Sequence, residues 1–423
     1  MNLSYSCLTN SEAAKRKHYP IEKINIMKPK HQQLDLFSWI KQPVASAKRM
    51  AVLIPQFNEC NDIAYYHCRL EYFSALAHKY AHELDIILID DGSTDDSKEI
   101  LARFQQQDNS AFYSAAIARN TQKVGALNLT AINISYDYVT LSDFDTDLNH
   151  LENLKTAILR LDSSNEFMGC YFRMYPFGES GLTFKMQQLE YCFARTYYKL
   201  HQKEHSVPVM PGAGSCYRRT MLLDIYKLHS GLRSGEDREA ATIGAKLNLK
   251  VFYLENVEAL TRPPGRLPQL ISQRTRWYRG YIETVIKEHE FYFAQAKSFS
   301  VVGIRTLQDF VSVLLLLLFP ILAAIITATG FKNLIAALSI TYCLSECYYL
   351  LLLTYAATEK KFIGKISGPS ILIYPLFWLL VSFISWCKAV MFCISNYKKI
   401  KTHFSLNEEK VLPHVFYNHE ASV

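Results

Sequence analysis

The chain has 423 residues, 46 Lys+Arg against 39 Asp+Glu, and 49% hydrophobic residues, enough for one large globular domain plus something else and too apolar for a disordered chain. The net charge of +7 is modest, and the basic residues are spread out instead of forming a stripe with interleaved aromatics, which argues against a nucleic-acid partner. Ten cysteines stand apart with no Cys-x-x-Cys, which speaks against a disulfide framework or structural zinc and for a reducing compartment.

Residues 1–48 are polar and patternless, and read as an extension with one interfacial turn near Leu34–Ile40. From Met50 onward, short β-rich runs (Met50–Pro55, Asp85–Asp90, Phe112–Ala118, Tyr138–Ser142, Phe167–Phe172) alternate with helical stretches (Asp62–Tyr80, Ser97–Gln107, Gly125–Ser135, Leu151–Leu161). This spacing predicts an α/β domain with a mostly parallel sheet covered on both faces. Ligands of such sheets bind at the carboxyl ends of the strands.

Three strand ends carry chemistry. The first reads Pro55-Gln56-Phe57-Asn58-Glu59 and the second Asp90-Asp91-Gly92-Ser93-Thr94-Asp95. Carboxylates there, followed by a turn glycine and a hydroxyl cap, can hydrogen-bond a base and a ribose, although each segment alone is an ordinary turn. The third reads Ser142-Asp143-Phe144-Asp145-Thr146. Strand alternation puts Asp143 and Asp145 on one face, a pair of oxygen ligands suited to Mg²⁺ or Mn²⁺ and through it to a diphosphate.

Three charge-poor runs follow, at residues 310–331, 333–358 and 366–387, with Glu346 the acidic residue of the second. At about 1.5 Å per residue each can cross a hydrocarbon core of about 30 Å. The first 20 residues hold no apolar stretch of signal-peptide type, so residues 1–300 are expected in the cytoplasm. Lys360, Lys361 and Lys365 agree with that orientation, whereas Lys398, Lys399 and Lys401 would emerge on the far side of a third span. A carboxylate inside a span is costly against lipid, so Glu346 is expected to face protein or water.

Taken together and in this order, the strand-end motifs resemble glycosyltransferase family 2 over about Ala51 to Glu283. The resemblance implies a GT-A fold, Rossmann-like, at 49–290, an interfacial segment with membrane helices at 291–398, and a polar tail at 399–423. It implies that Pro55, Glu59, Asp90 and Asp91 hold the nucleoside of a UDP-sugar. Lys123-Val124-Gly125-Ala126-Leu127-Asn128 is similar to the family's Lys-Ala-Gly-Ala-Leu-Asn segment, which places Lys123 by the nucleotide. Asp143 and Asp145 match the metal motif, with Phe144 where a small residue is commoner. Ser234-Gly235-Glu236-Asp237-Arg238 corresponds to the catalytic-base motif, and Gln273-Arg274-Thr275-Arg276-Trp277 to the Gln-x-x-Arg-Trp signature of membrane-embedded synthases of cellulose, chitin oligosaccharide, poly-N-acetylglucosamine and hyaluronan.

The roles that this resemblance implies are specific. Asp237 is the general base, and Asp145 with Asp143 and Arg276 steadies the diphosphate. Gln273 and Trp277 meet the acceptor sugar, joined by Glu236 and by Gly214 and Ser215 of a small-residue strand, where plain tight packing is an equal alternative. The product is a β-linked polymer or oligomer, and Gly-Glu-Asp-Arg leans toward UDP-N-acetylglucosamine. The other readings are transfer of one sugar to a lipid acceptor, as in ceramide glucosyltransferases, and a silent membrane subunit. The lipid bilayer is a partner in each, and a second copy or partner subunit would supply what three spans lack as a channel.

Overall fold

The computed structural model describes residues 36–406 except 45–46, 108–109, 179, 232–233 and 357–367. Most of the amino-terminal extension and most of the polar tail thus lie outside the described residues. The strands are β1 (Phe37–Lys41), β2 (Met50–Gln56), β3 (Asp85–Asp90), β4 (Tyr113–Ile117), β5 (Tyr138–Leu141), β6 (Asp147–Asn149), β7 (Phe167–Pro176), β8 (Ser215–Arg218) and β9 (Lys250–Thr261). They form one sheet in the order β1-β4-β3-β2-β5-β8-β7-β9-β6. Its central block, β4-β3-β2-β5, is parallel, and β1, β8 and β6 pair antiparallel with their neighbours.

The buried strands read as continuous apolar runs because both faces are covered. In β2, Met50, Val52 and Ile54 enter one core with helices α1 (Ile63–Lys79), α2 (Ser97–Gln105) and α4 (Leu154–Ser163). Ala51 and Leu53 enter the other, with α3 (Gln122–Ile132), α6 (Arg219–Leu228) and α7 (Glu236–Lys246). Residues 37–41 differ from expectation. In place of a turn, they form an edge strand whose Phe37 and Trp39 join the second core while Ile40 packs against the first. The alternation was present, but five residues between polar neighbours give it little weight.

Helix α5 (Leu182–His201) buries Met186, Leu189 and Phe193 against the apolar helices, and α8 (Leu267–Lys287) and α9 (His289–Lys297) lead into them. These are α10 (Val301–Ala328), α11 (Phe331–Ala356) and α12 (Gly368–Leu406), three helices long and apolar enough to cross a membrane. Their boundaries differ from the hydropathy reading, since α10 starts nine residues before Phe310 and α12 runs on through the lysines at 398–401. Helices cap and end by hydrogen bonding as well as by apolarity: the Ser300 hydroxyl caps α10 by accepting from the Gly303 N–H at 3.0 Å. Phe310, Ile325 and Leu351 stand 63%, 58% and 69% exposed, an apolar surface that water does not tolerate. Glu346 is only 7% exposed and so faces protein.

Candidate active site

The chain places β3 and β4 on one side of β2 and then β5 on the other. At such a reversal the loops after the strands diverge and leave a crevice. Glu59 follows β2 and Asp143 follows β5, so the topology itself carries both to the rim of that crevice.

From Ser142 to Asp147, burial alternates residue by residue. Phe144 turns inward, 5.3 Å from the Tyr66 ring in a stacked arrangement and edge-on to Phe73 at 5.5 Å, and thereby turns Asp143 and Asp145 outward. Two arginines that the motif reading missed fix this loop. The Arg69 guanidinium donates to the carbonyls of Phe144 (2.8 Å) and Thr146 (2.9 Å), and Arg262 donates to the Asp145 carbonyl (2.6 Å); both also pair with Asp147. Burial and then the Asp143 charge push the Asp145 carboxyl up to about 6. Burial and then Asp145 and Asp143 push Glu59 up to about 7.

The neighbouring carboxylates add to the effect of burial, and at Asp145 the charges of Arg69, Lys123 and Arg262 oppose it. Among the described residues no three His, Cys, Asp or Glu side chains converge as a metal cage. Asp143 and Asp145 fit the other mode, in which a hard cation takes one or two carboxylates and completes its shell with substrate phosphates and water.

Asp90 and Asp91 are both buried. Asp91 accepts from the Thr121 N–H (2.8 Å) and hydroxyl (2.7 Å), and burial pushes its carboxyl up to about 7. Its hydrogen bonds therefore shape the turn that starts α3. Asp90 accepts from the Ser93 N–H at 3.2 Å. Asn58, in the left-handed region at φ 54°, accepts from the Thr94 N–H at 2.7 Å and joins the first two strand-end loops. Pro55 is half-buried beside Ile89 in the β2–β3 register.

Two residues into α3, the Lys123 ammonium lies 2.6 Å from Asp143 Oδ1. It also lies beside Asp237: a Cβ on Gly212 would run into both the Lys123 ammonium and the Asp237 carboxylate. Burial opposes the Lys123 charge, but Asp143, Asp237 and Glu236 outweigh it and hold its pKa above the usual lysine range. Lys123 thus joins the outward-facing carboxylates to the base motif.

Asp237 sits in the first turn of α7, where the helix dipole favours a carboxylate, and accepts from the Gly212 N–H at 2.8 Å. Burial raises its pKa, an effect that Lys123 partly offsets. Burial, and next the Asp237 charge, push Glu236 up to about 7. Behind the turn, the Gly231 N–H donates to His229 Nδ1 at 3.0 Å, which leaves the proton on Nε2 to donate to the Glu236 carbonyl at 3.1 Å. Buried Glu239 accepts from the Ser230 N–H (2.7 Å) and hydroxyl (2.5 Å) and pairs with Lys287.

Helix α8 brings in the last motif. Gly235, at φ +72°, abuts the backbone of Gly280, a contact that a Cβ on either residue would break. Gln273, Arg276, Trp277 and Gly280 recur at three- and four-residue steps, so they share the α8 face that meets the Glu236–Asp237 turn. Gln273 is half-buried, and Arg276 and Trp277 are exposed, Trp277 by 44%. The Trp277 ring is backed at 4.1 Å by the buried Arg274 guanidinium, which pairs with Glu190 at 2.6 Å and lies over Trp378 at 4.9 Å. Gly214 and Ser215 are packed away: a Cβ on Gly214 would lie 2.9 Å from the Ala259 side chain and 3.0 Å from Met174 Sδ, and Ser215 is fully buried. Of the two readings given above for this strand, the packing one fits.

A poly-β-1,6-N-acetyl-D-glucosamine synthase of Staphylococcus aureus is 24% identical over 234 residues, 51% of this chain and 51% of that protein. One from Staphylococcus epidermidis is 22% identical over 277 residues, 64% of this chain and 61% of that protein. The chain thus spans between half and two thirds of the length of these curated relatives. Among solved structures, the mannosyltransferase PcManGT from Pyrobaculum calidifontis, in complex with GDP-Man and Mn²⁺, aligns with a TM-score of 0.47 at 15% identity, covering 82% of this chain and 92% of that one. The profile of Glycosyl transferase family 2 matches residues 51–225, the stretch that carries Glu59, Lys123, Asp143 and Asp145, and this stretch is a Glycosyl transferase family 2 domain.

Proposed function

We propose that the protein is a membrane-bound, inverting glycosyltransferase that moves a sugar from a UDP-sugar, with UDP-N-acetylglucosamine the preferred candidate, onto a growing β-linked saccharide. The observation that carries this reading is the line Asp143–Lys123–Asp237, which sets a diphosphate-facing carboxylate and a candidate base on either side of one ammonium. The curated relatives, named as poly-β-1,6-N-acetyl-D-glucosamine synthases, support the choice of sugar and product.

In this reading Asp143 and Asp145 hold Mg²⁺ or Mn²⁺, which when bound neutralises charge on the diphosphate. Lys123 and Arg276 add positive charge on the same leaving group. Trp277 offers a flat face to the acceptor ring and Gln273 a hydrogen bond to its hydroxyls. Asp237 Oδ takes the proton of the acceptor hydroxyl as its oxygen bonds to the anomeric carbon. The bond from that carbon to the diphosphate oxygen breaks on the opposite side, UDP leaves with the electron pair, and an α-linked donor gives a β-linkage. Transfer of one sugar to a lipid is the second reading, favoured by the exposed Trp277 ring beside Arg274 and the apolar helix that carries Trp378.

The test is purified protein with Mg²⁺ or Mn²⁺ and a panel of UDP-sugars, following UDP release and product size, beside Asp237→Asn. Metal-dependent release with one donor and a ladder of β-linked products supports the synthase. A one-sugar glycolipid made only with added lipid supports the second reading, and no turnover with any donor contradicts both.

A further inference from the structure

The three apolar helices are alike in composition and unlike in what they touch. Helix α10 leaves the catalytic domain from a rooted start, with Val302 packed on Phe291 and Tyr292 and Arg305 over the Tyr197 ring at 4.4 Å. Helix α11 returns to it: the Tyr349 ring lies 5.2 Å from Phe193, and the Tyr348 hydroxyl meets that of Tyr197. The turn between them, at Gly330, is the part of this hairpin farthest along the chain from both contacts.

Helix α12 starts against both α11 and the domain, its Leu372 carbonyl accepting from the Tyr342 hydroxyl at 2.8 Å and Tyr374 lying 4.8 Å from Tyr349, and from there it stays on the domain. Near its beginning, Tyr374 lies 5.1 Å from Phe193 and Trp378 lies under Arg274. Further along, the Ser385 hydroxyl donates to the Ile271 carbonyl at 3.3 Å, Phe392 lies 3.4 Å from the Arg279 guanidinium, and buried His403 bonds the Ser230 carbonyl through Nε2 at 2.8 Å. Lys287, at the end of α8, donates to the carbonyl of Leu228, the last residue of α6 and two residues before Ser230, at 2.8 Å. Apart from the Ser385–Ile271 bond, the partners advance together along both helices, from Trp378 with Arg274 through Trp386, stacked on Tyr278 at 4.2 Å, to Phe392 with Arg279, so α12 runs alongside α8 in the same direction.

From Tyr374 to His403 is about 44 Å of helix, more than the hydrocarbon core of about 30 Å. A helix that crossed over that length would carry His403 away from the side of Tyr374. Both residues instead rest on one charged domain, which occupies one side. The face turned to α8 carries Ser382, Ser385, Trp386 and Phe392, with Ala389 and Cys393 also buried, while Leu376, Leu380, Met391 and Ile394 face outward, 56%, 51%, 67% and 72% exposed. Exposed Lys388, Lys398, Lys399 and Lys401 flank this outer stripe.

We propose that α12 does not cross the bilayer but lies in the plane of its surface, with the outer stripe in the headgroup–acyl boundary of an anionic leaflet and the inner stripe clamping α8, while the α10–α11 hairpin crosses. The carboxyl end of α12 is then on the same side as the catalytic domain. Lys398, Lys399 and Lys401 are then on that side as well, so they no longer emerge on the far side of a third span. This placement is independent of the enzymatic reading.

The experiment uses the full chain in sealed vesicles containing anionic lipid, labelled from one side with a membrane-impermeant maleimide and read peptide by peptide by mass. Lys98→Cys reports the catalytic side, Lys332→Cys the α10–α11 turn, and Lys398→Cys the end of α12. The expected result is at least tenfold labelling of Lys398→Cys over Lys332→Cys from whichever side labels Lys98→Cys. Labelling of Lys398→Cys together with Lys332→Cys overturns the proposal. A fluorophore at Leu380→Cys, Met391→Cys or Ile394→Cys, quenched by lipids brominated at set depths, should report one shallow depth at all three. A depth that passes through the bilayer centre along the series, or no quenching at any site, overturns it as well.

Discussion

The proposed donor end and the proposed acceptor end of the site are built in opposite ways. At the proposed donor end, each functional side chain stands at the last residue of a central strand or within four residues beyond it, in a segment that contains its own turn and cap: Glu59 after β2, Asp90 and Asp91 at the end of β3, Asp143 and Asp145 after β5. At the acceptor end, nothing is local. Arg274 pairs with Glu190 across 84 residues, Gly235 abuts Gly280, and His403 bonds Ser230 across 173 residues. The donor end therefore rests on sheet topology and the acceptor end on helix packing, and Lys123 and Asp237 are the seam between them.

Mutations should separate the two ends. The largest effect is expected at the seam, where Asp237→Asn should lower kcat by about 10²- to 10⁴-fold, the usual contribution of a general base, and leave UDP binding within twofold by calorimetry. Next is Arg274→Ala, which strips the support from Trp277 and leaves Glu190 half-paired. Breaking a largely buried pair should cost about 3 kcal/mol of stability, and the KM for acceptor should rise with UDP affinity unchanged. Gly235→Ala forces a side chain into the Gly280 backbone at a positive φ and should cost about 1–3 kcal/mol, read as a lower unfolding midpoint together with a lower kcat.

The pH profile sharpens the comparison. In the proposed role of general base Asp237 must be unprotonated to act, and burial raises its pKa while Lys123 lowers it. Activity should therefore fall with decreasing pH through a midpoint above the ordinary aspartate value. Lys123→Met should move that midpoint to higher pH, which a pH–rate series on the two proteins would show. The smallest effect belongs to His403→Ala, which loses one hydrogen bond worth about 1 kcal/mol and should loosen amide protection at Ser230 and Gly231 in hydrogen exchange, with His403→Gln restoring it.

The same division governs what could be read from the sequence. Strand ends are legible because alternation and turn chemistry are local, so Asp143 and Asp145 could be assigned to one face from their spacing alone, and Phe144 proves to be the anchor that holds them there. Burial was not legible: nothing in Asp90-Asp91-Gly92 tells that Asp91 bonds Thr121 within the protein. Gly214 and Gly212 look alike in sequence, yet Gly212 gives room to Asp237 and Lys123 while Gly214 packs against Ala259. Arg69, Arg262 and His229 were missed because each works on a backbone carbonyl far along the chain or outside any motif. Hydropathy found α12 but could not tell a crossing helix from one laid along α8, since both are apolar on their outer face.

The most direct test of the account is calorimetric titration of UDP with and without Mg²⁺, alongside donor turnover, for the wild type, Asp145→Asn and Asp237→Asn. The account predicts that UDP binding depends on the cation in the wild type and is lost in Asp145→Asn, while Asp237→Asn binds UDP normally and fails to turn over. Cation-independent UDP binding untouched by Asp145→Asn, or sustained turnover in Asp237→Asn, would contradict it.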